Sequence, residues 1–182
     1  MIDFLEKMQK GSMTQQRAYR VIKQLDIFTK LSSYTPILCG TLPIGIDIEG
    51  SDLDIIMNVQ RLDDFERQIH SLYHHHNEFR LKRTVIRGKE IVKANFIYQQ
   101  LEFELFGQAQ PVHQQYAYLH MMIEEALLKK IPYLKENVMT LKKQGYKTEP
   151  AFCKILGITG DPYTELIQFG ISEGIIKNPY SE

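Results

Sequence analysis

The chain reads as an α+β fold, a small sheet between residues 36 and 106 flanked by N-terminal helices and a C-terminal helical annex. Three observations predict it. Apolar residues recur at helical spacing before residue 32 and again after Pro111, they alternate at strand spacing in between, and short Gly or Gln-Gln turns cut the middle into hairpin-length pieces. With 182 residues, of which 43% are hydrophobic and 24% charged, the composition excludes disordered, collagen-like and coiled-coil classes. A chain of this size buries roughly 70% of its unfolded surface, enough for a real core.

Each element has its own signal. After Thr14, a candidate N-cap, Ala18, Ile22, Leu25, Phe28 and Leu31 recur every three or four positions and predict one amphipathic helix. Pro36 to Gly40 is a short buried strand, followed by a stretch holding Pro43, Gly45 and Gly50 that is too interrupted for a long element. Ser51 to Val59 is a second strand, and Leu62, Phe65, Ile69 and Leu72 place a helix from Arg61 to about His75. Phe79–Arg87, a Gly88-Lys89 turn, Ile91–Tyr98, a Gln99-Gln100 turn and Leu101–Phe106 complete a mixed or antiparallel sheet. Beyond Pro111, Tyr116, Leu119, Ile123 and Leu127 mark one helix and Pro132 to Gln144 a second, stopped by Gly145. Thr148 is placed to cap a third, and Asp161-Pro162 opens a last one that Gly174 closes. Residues 1–110 are expected to form the α/β core and 111–182 a helical region packed with it as a single compact unit.

Charge and cysteine content narrow the setting. Lys plus Arg (22) equals Asp plus Glu (22), so any attraction to nucleic acid or membrane must be local. No apolar run is long enough to cross a bilayer, and no membrane partner is expected. Cys39 and Cys153 fall short of a disulfide framework and fit a reducing compartment, so the expected location is cytoplasmic.

The chemistry sits in Cys39-Gly40-Thr41 and, ten residues later, Asp52-Leu53-Asp54-Ile55. Side chains alternate along a strand, so Asp52 and Asp54 share one face and Leu53 and Ile55 the other. Like charges side by side repel, a cost that a divalent cation removes. Mg2+ (or Mn2+) takes carboxylates together with substrate phosphates, and a pair of such ions clamps the attacking and leaving oxygens of a phosphoryl-type displacement. Leu101-Glu102-Phe103-Glu104-Leu105 is a second acid-apolar-acid strand; beside the first, it adds a third carboxylate. Gly40 at the strand end lets backbone N–H groups approach phosphate, and Thr41 adds a hydroxyl.

These three pieces, in this order and spacing, resemble the pattern of the polymerase-beta-like nucleotidyltransferase superfamily. More narrowly, CGTLPIGIDIEGSDLDI, LEFELFGQ and KTEPAFCKILGITGDPY are similar to an uncharacterised bacterial family known only as a domain of unknown function, DUF4269, over residues 14–175. The resemblance implies a small mixed nucleotidyltransferase-type sheet, with Asp52, Asp54 and Glu104 as catalytic and metal-binding acids and Gly40 and Thr41 as the phosphate-side turn. Glu102 is the reserve for the third acid, because alternation puts it on the same face and register is not readable from sequence. Thr41 replaces the usual second Gly or Ser, and Pro43 and Gly45 interrupt the stretch where many relatives start a helix. The implied activity is Mg2+-dependent transfer of a nucleoside monophosphate from a nucleoside triphosphate to an acceptor that is a small molecule, a protein or RNA.

Two other classes compete with this reading: a catalytically silent nucleotide-binding or regulatory module of the same fold, and a scaffold whose acids are a solvated edge. Overall neutrality also hides two opposed patches. Residues 47–66 hold seven acids and one base, while residues 80–93 hold six bases and only Glu90. Those bases (Arg80, Lys82, Arg83, Arg87, Lys89, Lys93) are either a solvated strand face or a surface for a triphosphate or nucleic acid. Lys93 is singled out as a cofactor-binding residue because it lies one strand from Glu104 in the expected meander. Asp63 and Asp64 are assigned to a helix start. His74-His75-His76 point in three directions on a helix and do not converge on a metal. His113, His120 and Glu124 fall at helical spacing and read as polar neighbours of a core stripe, and Cys39 as a buried apolar thiol.

Overall fold

The computed structural model describes residues 4–179. It divides into two compact units, one of residues up to Gly45 together with Gly50–Val112, the other of Ile46–Glu49 together with residues from His113 onward. The first unit contains helices α1 (Phe4–Met8), α2 (Met13–Leu25), α3 (Ile27–Lys30) and α4 (Leu62–Tyr73) and strands β1 (Ile37–Cys39), β2 (Leu53–Asn58), β3 (Asn77–Ile86), β4 (Lys89–Tyr98) and β5 (Leu101–Gln108).

The strands form one mixed sheet in the order β1-β2-β5-β4-β3. β2 and β5 run parallel; every other neighbouring pair is antiparallel. One face is the core, where Leu53, Ile55, Met57, Val92, Ala94, Phe96, Phe103 and Leu105 join Ala18, Val21, Ile22 and Leu25 of α2 and Phe65, Ile69 and Tyr73 of α4. Tyr73, Phe96 and Phe103 stack in sequence, with centroids 4.9 and 5.1 Å apart. Gly107 of β5 belongs to this face, and a Cβ there would stand 2.7 Å from Phe65 and 2.8 Å from Val59. Only glycine lets α4 lie this close to the sheet. The other face is not buried to the same degree: Asp54, Lys93, Asn95, Glu104 and Phe106 are all intermediate in exposure.

Several boundaries differ from expectation. The long helix begins two residues earlier, because Ser12 rather than Thr14 caps it in a reciprocal box with Gln15. It also ends at Leu25, where Asp26 adopts a left-handed conformation, so Phe28 belongs to the separate α3 and Leu31 follows it. The β3–β4 turn is Arg87-Gly88, both at positive φ. The strand carrying the acids starts at Leu53, which leaves Asp52 just ahead of it. Thr148 is the first residue of its helix and Lys147 the cap position, with no side-chain cap.

The second unit is helical: α5 (Tyr116–Lys130), α6 (Leu134–Lys143), α7 (Thr148–Leu156) and α8 (Pro162–Ser172). Asp161 caps α8 by accepting from Thr164 N–H at 3.2 Å with Pro162 at its first position, and Gly145 follows α6 at φ 94°, both as the sequence predicts. Leu119, Ile123, Leu127, Leu134, Val138, Phe152 and Leu166 are buried in it. None of the described helices is long and apolar enough to cross a membrane.

Candidate acidic active site

Strand pairing places two of the three predicted acids opposite one another. Asp54 of β2 is the direct partner of Glu104 in β5, and Asp52 precedes the same strand. Asp52, Asp54 and Glu104 each offer a carboxylate oxygen, and these oxygens lie within 4.8 Å of one another. All three side chains are half-buried rather than fully solvated. Glu102, on the same face of β5, is exposed and outside this cluster. Register, unreadable from sequence, selects Glu104.

Such a cluster concentrates negative charge. Lys93 of β4 forms an ion pair with Glu104 Oε2, and Asn95 Nδ2 donates to the same oxygen at 3.4 Å. Both come from one side, because β4 flanks β5 on the edge away from β2. Lys93 is 39% exposed at its side chain, so the ammonium keeps access to water. The donor set, three oxygen anions with room for solvent, fits a hard divalent cation such as Mg2+ and does not fit a soft thiolate-seeking metal.

The glycine turn stands on the opposite flank. β1 pairs with β2 so that Cys39 lies opposite Asp54, and Gly40 follows at φ 83°. A Cβ at Gly40 would collide with Asp54 Oδ2. Glycine is therefore required twice over, for the left-handed backbone and for the close approach to the carboxylate. Thr41 comes next and is half-buried, while residues 42–45 form a turn closed by Gly45 N–H to Leu42 O at 3.1 Å rather than a helix. Gln15 of α2 anchors that turn by donating from Nε2 to Leu42 O at 2.8 Å and Pro43 O at 3.4 Å. Sequence reasoning had no signal for Gln15 beyond its capping position. Asn95 was readable in principle, since it alternates with Lys93 along one strand.

Other expectations fare differently. Burial, and secondarily the charge of Asp54, push the Cys39 thiol well above its ordinary range, so it is a packing residue and not a nucleophile. Arg83 of the basic hairpin leaves the open face: it pairs with Asp63 and with Glu66 of α4. Asp64 pairs with Arg61 at 2.7 Å and with Arg67, so both aspartates at the start of α4 are held by arginines. The three histidines follow α4 rather than lying on it, with His76 stacked 5.2 Å from Phe96. His113 lies outside α5 in a short 3-10 turn, whereas His120 and Glu124 are buried on α5, 4% and 3% exposed.

Several solved structures share this arrangement of elements. A cytoplasmic RNA terminal U-transferase matches over 76% of this chain and 45% of its own length, at 15% identity and a TM-score of 0.53. The Cid1 poly(U) polymerase with MgGTP bound matches over 78% of this chain and 42% of its own, at 15% identity and TM-score 0.50. GLD-2, from the GLD-2/RNP-8 complex, matches over 93% and 63%, at 16% identity and TM-score 0.54. The chain thus spans about half the length of the first two. At these identities the likeness establishes a shared fold, that of polymerase-beta-like nucleotidyltransferases. No curated protein matches by sequence. The narrower affiliation comes from a family model, a domain of unknown function (DUF4269), which matches residues 20–169; most of the chain is covered, and the chain belongs to that family.

Proposed function

We propose that this protein transfers a nucleoside monophosphate from a nucleoside triphosphate to an acceptor hydroxyl, using Mg2+ (or Mn2+). The observation that carries the reading is the meeting of Asp52, Asp54 and Glu104 within 4.8 Å, beside a turn whose left-handed backbone and contact with Asp54 favour glycine at position 40. Asp52 and Asp54 would hold divalent cation, and Glu104 would complete the ligand set or take the acceptor's proton. Bound metal supplies charge neutralisation for the phosphates and a lowered pKa for the attacking hydroxyl. Gly40 and Thr41 would receive the triphosphate tail through backbone N–H and hydroxyl donors. The acceptor oxygen forms a bond to the α-phosphorus, the α–β phosphoanhydride breaks, pyrophosphate leaves and the hydroxyl proton passes to the acid.

Lys93 now neutralises Glu104. With divalent cation held by the acids, the Lys93 ammonium would be available to a substrate phosphate. The two buried thiols, neither in a disulfide, fit residence in the reducing cytoplasm, where triphosphates and Mg2+ abound. The same site in a silent nucleotide-binding module would bind without turnover.

A thermal-shift titration tests the binding half. Mg2+ with a non-hydrolysable triphosphate at a hundred times Kd should raise Tm by about 5–10 °C. Asp54→Ala should abolish the shift, and its failure to do so would overturn the site assignment. Incubation with α-labelled triphosphates and cell extract then separates transferase from silent module by the presence of labelled product.

A further inference from the structure

The second face of the sheet, buried at Ile56 and Gln108 but open along β4 and β3, is polarised across its strands, and β3 gives the polarity a direction. Register defines two rows. The first runs Asp54, Glu104, Asn95, Arg80, and the second Ile56, Phe106, Lys93, Lys82, each reading from β2 through β5 and β4 to β3. Acids stand at one end and cations at the other. The arginine of the opposite face, Arg83, is neutralised by Asp63 and Glu66 on α4. On the open face no such compensation exists for Lys82, which has no hydrogen bond or ion pair among the described residues. Arg80 has only a long contact among them, 3.6 Å, to an exposed Glu78.

Lys82 and Lys93 are direct cross-strand partners. Like charges placed opposite one another weaken a sheet. Lys93 is already paired with Glu104, so the uncompensated charge is that of exposed Lys82, which with Arg80 beside it makes this stretch of β3 suited to an anion. The size of the row says which kind. At ~4.8 Å per strand, Lys93 and Lys82 lie about one and two strand spacings from Glu104, and Lys89 is four residues from Lys93 along β4. One phosphate cannot reach this set. A chain of phosphates can. The triphosphate is a poor occupant, because the glycine turn that would cradle it lies beyond β2 on the other flank of the acids. Phe106, half-buried between Ile56 and Lys93 in the second row, adds an aromatic surface of the kind on which unpaired bases stack.

We infer that the β3–β4 ribbon is the acceptor track: a single-stranded polynucleotide lies across Lys93, Lys82 and Arg80 with its 3′-hydroxyl at Asp54 and Glu104. The end-hydroxyl assignment rests on the transferase reading above; the binding surface stands without it. Track and catalytic acids thus share one face of one sheet.

The test uses the full chain and a 5′-fluorescein 12-nucleotide strand with a free 3′-hydroxyl, in RNA and DNA forms, followed by anisotropy over a salt series. Wild type should bind, with affinity falling as salt rises. Lys82→Glu should flatten the log–log salt slope by about 0.7 and weaken binding at least about fivefold at 0.1 M salt. Its Tm should equal or exceed that of wild type, because the new carboxylate would face Lys93 as an opposite charge, and the Mg2+-triphosphate shift should be unchanged. Lys135→Glu, the same charge change on the exposed side of α6, should leave strand binding as in wild type. The inference is overturned if Lys82→Glu binds the strand like wild type or like Lys135→Glu, or if it loses the triphosphate shift, which would make the lysine a triphosphate ligand. Strand binding that depends on Lys82 in a protein showing no triphosphate shift would keep the track and refute the transferase. The RNA and DNA arms identify the sugar.

Discussion

On the sheet, Asp52, Asp54 and Glu104 crowd three carboxylates into a half-open site, where Glu104 is answered by an ion pair from Lys93 and a long hydrogen bond from Asn95. In the helical unit, His120, Glu124, Glu149 and Lys142 crowd four ionisable groups inside the protein, and there backbone and partners answer nearly all of them. His120 Nε2 meets Tyr163 O at 2.8 Å while its Nδ1 faces Glu149 Oε1 at 3.1 Å, and Lys142 donates to Ile46 O at 2.8 Å. Burial, then the charge of Glu149, pushes the Glu124 carboxyl well up, against the opposing charge of Lys142. Burial works in the same direction on Glu149, but the hydrogen bond and charge of His120, helped by a backbone N–H and by Lys142, hold it below its usual range. A cluster that neutralises itself is part of the packing. One gathered at the edge of solvent is placed where a cation can reach it.

Substitutions test that contrast from both sides. The largest effect is expected at Gly40→Ala, where the left-handed backbone costs about 1–3 kcal/mol and the new methyl displaces Asp54. Loss of nucleotidyl transfer should reach about a hundredfold, as misplacement of a reacting group by an ångström can cost that much, and the triphosphate thermal shift should shrink with it. Product assay and melting curve on the same sample check both.

Next come the buried groups. His120→Ala removes one partner each from Glu149 and Tyr163 O and should cost about 3 kcal/mol in denaturant unfolding. Glu124→Gln should do the reverse at neutral pH. A carboxyl whose folded pKa is raised binds more protons when folded, so its stabilising contribution is complete below pH ~4.5 and is lost as pH rises through the folded value. Wild type should therefore lose stability relative to Glu124→Gln above pH ~4.5, by at most about 1.4 kcal/mol per pH unit. Glu149, with its pKa lowered, has the opposite sign: its contribution is present at neutral pH and lost as pH falls below the ordinary carboxyl range. Unfolding curves of wild type and Glu124→Gln from pH 4 to 8 that ran parallel would refute the upward shift of this carboxyl.

The smallest effect is expected at Gln15→Ala, which removes half of the capping box and the bonds to Leu42 and Pro43. About 1 kcal/mol of stability should go, with a modest fall in triphosphate binding as the turn loosens. A melting curve alongside the triphosphate titration measures both.

Periodicity was enough for the element types, since a half-buried strand or helix must repeat its apolar residues at 2 or 3.6 positions. The SDLDI and LEFEL segments, the Gln99-Gln100 turn and Asp161-Pro162 were readable on that ground. Local backbone choices were less so: Ser12 as the cap and Asp26 as a left-handed break compete with neighbours of the same chemistry. His120 and Glu124 look from sequence like polar residues beside a stripe, and their burial depends on Glu149, Lys142 and carbonyls from distant segments.

The amino-acid order by itself determined that Glu102 and Glu104 would share a strand face and that a glycine would end the strand before the aspartates, whereas Asp52 lies just ahead of its strand. Tertiary structure decided that β2 would lie parallel to β5 with Asp54 opposite Glu104 rather than Glu102, that Gly40 would press on Asp54, and that Lys82 would face Lys93. Alternation is a property of one chain segment, whereas register is a relation between segments, set by the core face that both must bury.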